Sequence, residues 1–224
     1  MIKVAVLVLA TPVLVGLWFA LAWLVYTRLV PGGVRAIDRA SPVLYLALLT
    51  VVCGLAAILE PAAYAELARP VDLTVVVWFG CAVVLAAVFV GVEIGGGAVF
   101  RRLPVSRTVT DGSGNIAHPT GAVAVGATLL AGVFEEVLYR GLALPLLGGG
   151  LPAVIATGLG FGALHWYYGL RNVATKSMLG LGLGALTVAS GSVFAAIVAH
   201  LAFSAGALVL TGRARALRDS GVMA

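Results

Sequence analysis

Charge is scarce in this chain. Only 10% of its 224 residues are Asp, Glu, Lys or Arg, against roughly 25% in a soluble globular domain, and 62% are hydrophobic. That balance excludes a water-soluble fold, which could not hide so much apolar surface. Cysteine is sparser still. Cys53 and Cys81 each stand alone inside an apolar run without CxxC spacing, which excludes a disulfide framework and marks both as small buried hydrophobes. The formal charge of +5 is spread over loops, with no basic face interleaved with aromatic residues, so nucleic acid is not an expected partner. No GxGxxG follows a strand-like segment, which removes a dinucleotide-binding reading.

What the chain does have is apolar runs of about 20 residues, the length a helix needs to cross roughly 30 Å of hydrocarbon. They predict helices over 4–26, 41–59, 73–95, 127–147, 151–168, 177–190 and 192–211, and residues 121–126 are able to add an eighth. The expected fold is an all-α polytopic membrane protein of about seven to eight transmembrane helices. The first run is too long for a signal-peptide core and is followed by Arg28 and Pro31 rather than a cleavage site, so it should remain as a helix.

The loop charges set an orientation. Arg28, Arg35, Arg39, Arg101, Arg102, Arg107, Arg171, Lys176, Arg213, Arg215 and Arg218 fall on one side, against Lys3 and Arg69 on the other. By the positive-inside rule the N-terminus lies outside and the C-terminus in the cytoplasm, and a prokaryotic plasma membrane is the expected location. The polar stretch 101–120 reads as a cytoplasmic loop. It divides the chain into N-terminal helices with their loop (1–120), core helices (121–212) and a basic cytoplasmic tail (213–224). The last four helices are the expected catalytic core.

Polar chemistry concentrates there. Residues 129–147 read LLAGVFEEVLYRGLALPLL, placing Glu135, Glu136 and Arg140 inside an apolar span, where each ionised group costs a few kcal/mol at the bilayer centre. Glu136 and Arg140 stand at i, i+4 with the acid first, the favourable order for a helical ion pair, and are read as a structural brace. Glu135 is left without a partner in its own helix and is the functional candidate. His165 closes GFGALHWYY on the face of Phe161, beside a Trp166–Tyr167 pair of interfacial character. His200 lies mid-span, with Ser204 one turn later. His118 reads as a solvated loop residue, Glu93 as structural, and Gly158, Gly160, Gly162, Gly180, Gly182 and Gly184 as helix-packing positions. Carboxylate and imidazoles inside a span require a water-filled cavity open to the cytoplasm.

EExxxR at Glu135, Glu136 and Arg140, FxxxH at Phe161 and His165, and a third histidine at His200 occur in the order seen in the CAAX-protease and bacteriocin-processing (Abi) intramembrane proteases, which this chain resembles. That family includes the type II CAAX prenyl endopeptidases. The resemblance implies that Glu135 and His165 activate water while His200 and the residue at 204 stabilise the oxyanion. The family's third motif ends in Asn, and Ser204 departs from it with a shorter reach. Glu135, His165 and His200 also make up a possible ligand set for a divalent metal such as zinc, with a fourth position open, so a metal and a glutamate mechanism both stand. The implied partners are a peptide or membrane-anchored protein substrate and the lipid bilayer. Two other functions remain: a non-catalytic immunity or scaffolding protein, which Ser204 favours, and a proton-coupled transporter, which the clustering of polar residues in one half disfavours.

Overall fold

The computed structural model describes residues 2–30, 33–67, 74–99 and 121–219. The polar loop 101–120 with His118, and Arg69, lie outside them. The described residues form helices α1 (Ile2–Leu29), α2 (Gly33–Leu59), α3 (Pro61–Leu67), α4 (Thr74–Val99) and α5 (Ala122–Glu136). A π-helical segment (Val137–Ala143) follows, then α6 (Leu144–Leu146), α7 (Leu151–Ala163), a 3-10 turn (Trp166–Tyr168), α8 (Leu170–Ser190) and α9 (Val193–Asp219). No strand occurs among the described residues.

Among the described residues six segments are long and apolar enough to cross a membrane: Val6–Leu29, Ala40–Leu59, Thr74–Glu93, Ala122–Leu146, Leu170–Ser190 and Val193–Leu210. The expected span at 151–168 is the difference. Its helix α7 stops after 13 residues, about 20 Å at 1.5 Å per residue, short of the hydrocarbon thickness. Beyond Ala163 the chain turns, and His165 occupies a non-helical bend rather than the helix itself. α9 continues past Leu210 to Asp219, through most of the basic stretch read as a tail.

The helices divide by what they bury. Only 17% of the Thr74–Glu93 window is covered by protein, against 39% for Ala122–Leu146 and for Leu170–Ser190, so α4 is a lipid-facing wall while α5 and α8 are interior. Exposed Val76, Val77, Val83, Val84 and Val88 on α4 fit that position. So does Cys81, which is exposed and not buried as the sequence implied, because α4 turns that face outward; Cys53 is buried.

α7 and α8 pack closely and antiparallel, with Gly184 against Val154, Gly180 against Gly158 and Ser177 against Gly162. A Cβ on Gly180 would sit 2.8 Å from the Gly158 carbonyl, and one on Gly162 would overlap the Ser177 hydroxyl and lie 2.7 Å from the Val173 carbonyl. These glycines are packing positions, as their spacing implied, because only hydrogen fits between the backbones. Elsewhere a proline supplies the junction. Pro12 inside α1 has no N–H for the Val8 carbonyl, and the buried Tyr139 hydroxyl donates to that oxygen at 3.3 Å.

Gly162→Ala is therefore expected to destabilise the fold by about 1–3 kcal/mol through overpacking, whereas Gly54→Ala, with open space around its Cβ, is neutral. Thermal melting of the two purified variants in detergent measures the contrast.

Candidate active site

The double glutamate ends a helix that changes pitch. Glu135 and Glu136 are the last residues of α5, and the next turn is π-helical: the Leu144 N–H donates to the Tyr139 carbonyl five residues back. Single π-turns widen a helix and occur often at functional positions. Here the widened turn carries Arg140. Glu135, Glu136 and Arg140 are 3%, 0% and 2% exposed, so their partners decide whether the cluster is tolerable.

Those partners come from four other helices. Arg140 Nη1 donates to Glu136 Oε1 at 3.0 Å, the expected brace, and Nη2 donates to the Gly180 carbonyl of α8 at 2.7 Å. The guanidinium carbon lies 4.7 Å from the centre of the Phe161 ring, a cation–π contact from α7. The same Glu136 oxygen meets His200 Nδ1 of α9 at 2.8 Å. His200 Nε2 then faces Glu135 Oε2 at 3.7 Å, too long for a direct hydrogen bond. Gly132, one turn before Glu136, leaves room for that ring: a Cβ there would touch the imidazole at 3.6 Å.

Glu135, Glu136, Arg140 and His200 therefore meet. His165 joins them across an aromatic ring: the Phe161 centroid lies 5.3 Å from the His165 centroid and 5.6 Å from that of His200. His165 Nδ1 bonds the Phe161 carbonyl at 3.1 Å. Since a carbonyl only accepts, Nδ1 carries the hydrogen, and in the neutral ring Nε2 is an open acceptor. Neither nitrogen of His165 bonds a carboxylate among the described residues. Half-buried Ser204 takes part in none of the hydrogen bonds of this cluster.

No three His, Cys, Asp or Glu side chains among the described residues come together as a set able to hold a metal ion. Glu135, His165 and His200 share a neighbourhood, with Phe161 touching both imidazoles, but they are not found as a ligating group of three, so the arrangement as it stands does not fit the ligand set raised from sequence. Glu93 is paired with Lys176 at 3.2 Å, linking α4 to α8. That is the structural role expected of it.

One site contact was not foreseen. The Tyr45 hydroxyl of α2 donates to Glu135 Oε1. A tyrosine in an apolar run carries no signal of its own, and nothing in the motif spacing points to a residue 90 positions upstream.

A helical membrane protein with a Glu-Glu-Arg cluster clamped to a histidine of a neighbouring helix is the class defined by this fold and centre. Residues 118–206 match the family described as type II CAAX prenyl endopeptidase Rce1-like. The matched segment contains all three motifs and bears out the resemblance read from them, so this part of an integral membrane protein carries the pattern of a CAAX-type protease. No curated protein and no solved structure matches the chain significantly.

Arg140→Met leaves the Glu136 charge buried without its guanidinium and is expected to cost about 3–5 kcal/mol. Adding Glu136→Gln to that variant should recover part of the loss, as read by denaturant unfolding in micelles. Equal stability of wild type and the single variant would show that the pair braces nothing.

Proposed function

We propose that the chain is an intramembrane endopeptidase that hydrolyses a peptide bond near the cytoplasmic membrane face, using Glu135 and His165 to activate water. The observation that carries this reading is the placement of His200. Its Nδ1 is held by Glu136 at 2.8 Å, and its Nε2 is turned toward Glu135 Oε2 across 3.7 Å. Two polar atoms face the same point there without bonding each other, which suits a reacting group seated beside them and bonded to both.

The chemistry balances with these groups. Glu135 takes a proton from water as the water oxygen bonds the scissile carbonyl carbon, and His165 Nε2, open because Nδ1 is engaged with Phe161, holds the water's second hydrogen. The carbonyl oxygen becomes an oxyanion. His200 Nε2 donates to it when the ring carries both protons, with the Glu136 carboxylate opposite Nδ1 balancing that charge, and the Ser204 hydroxyl supplies a second donor. Glu135 returns its proton to the leaving nitrogen and the C–N bond breaks, giving an amine and a carboxylic acid, whose remaining proton passes to His165 Nε2 to leave the carboxylate. No step passes through a metal.

The substrate is a peptide segment of a membrane-anchored protein, reached from the cytoplasmic side. The loop charges favour an outside N-terminus and a cytoplasmic C-terminus. With six long spans among the described residues, opposite ends are met if the short α7 carries the chain back across, which agrees with its antiparallel packing on α8.

Glu135→Ala and His165→Ala are each expected to lower cleavage of a membrane peptide substrate by about 100-fold or more while melting like wild type. Full activity in either variant, or none in wild type, would leave a binding protein as the better reading. Excess 1,10-phenanthroline should leave cleavage unchanged; loss restored by added zinc would transfer the water to a metal. Ser204→Ala should reduce kcat, and Ser204→Asn, with longer reach, should at least match wild type in the same assay.

A further inference from the structure

We infer that Tyr45 is a positioning residue for Glu135, so that a helix outside the family-matched segment completes the site; this rests on the proteolytic reading above. Its phenol donates to Glu135 Oε1, and a carboxylate whose Oε1 is held presents Oε2 in one direction, toward His200. A base whose geometry is fixed loses less freedom at the moment of proton transfer. Within its own helix Glu135 has no such partner.

The phenol is itself held in place. Trp18 Nε1 of α1 donates to the Leu44 carbonyl at 2.9 Å, pinning α1 to α2 at the residue before Tyr45. The Tyr45 ring stacks on Phe19 with centroids 6.5 Å apart and planes 25° apart. Phe19 also stacks on Tyr167, at 5.8 Å and 21°, and Tyr167 lies two residues beyond His165. Next to it, Trp166 Nε1 donates to the Pro12 carbonyl at 3.3 Å, its indole lying against Gly16 where a Cβ would come within 2.6 Å of the ring. α1 thus acts as a template with Tyr45 on one side and the bend bearing His165 on the other. Phe19 bridges the two sides, stacked on Tyr45, which holds Glu135, and on Tyr167, two residues from His165.

The test uses the full chain in lipid nanodiscs and, as probe, an internally quenched peptide ending in a farnesylated CAAX tail. Tyr45→Phe keeps the ring stack and removes only the hydroxyl. It should lower kcat by about 10- to 100-fold with KM changed less than about twofold and an unaltered melting curve. Carbodiimide labelling of Glu135, quantified by mass spectrometry, is the second readout and needs no turnover. Freed of the phenol, Glu135 should label several-fold faster in Tyr45→Phe, with Glu93 labelling unchanged. Unchanged kcat and unchanged labelling would overturn the inference, as would a fall in melting temperature that accounts for the lost activity. If wild type leaves the probe uncut, the proteolytic reading fails, and the labelling rates alone decide whether Tyr45 holds Glu135.

Discussion

A single carboxylate oxygen, Glu136 Oε1, receives both Arg140 Nη1 at 3.0 Å and His200 Nδ1 at 2.8 Å. Both donors come from outside Glu136's own turn of α5, one from the π-helical segment and the other from α9. Through Arg140 Nη2 the same network reaches the Gly180 carbonyl of α8. An unpaired charge at this depth is expensive, so these helices are held together by the cost of separating them as much as by apolar packing. Glu136 is more than the brace its spacing implied: by holding Nδ1 it also fixes which nitrogen of His200 faces Glu135.

The apolar architecture makes that network reachable. Arg140 can bond a backbone oxygen of α8 because α8 lies so close to α7, and α8 lies so close because a glycine without a Cβ stands on one side or both at each point of the contact. Phe161, on α7, lies under the guanidinium and touches both imidazoles. Its ring ties the buried brace to His165 and His200 in one neighbourhood. The proposed division into a bracing pair and a reacting pair therefore rests on a shared aromatic contact and a close helix crossing, not on charge alone.

Much of this was legible in the chain. Glu135, Glu136 and Arg140 announce themselves because ionisable groups are costly inside an apolar span, and the same cost made His200 conspicuous. The i, i+4 order of Glu136 and Arg140 gave the ion pair, although the turn that joins them is π-helical and periodicity does not register one extra residue per turn. The length of α7 was misjudged because Leu164, Trp166 and Tyr167 extend the apolar run past the point where the backbone bends. Tyr45 stayed invisible for a different reason. A phenol is tolerated almost anywhere in a membrane helix, so only the folded arrangement reveals that it meets Glu135.

The central claim is that Glu135 activates water rather than attacking the substrate itself. A single turnover in oxygen-18 water tests it directly. One labelled oxygen in the new carboxylate of the product, with none in the peptide containing Glu135, is the predicted result. Label appearing in Glu135 would reveal a covalent acyl intermediate and contradict the account.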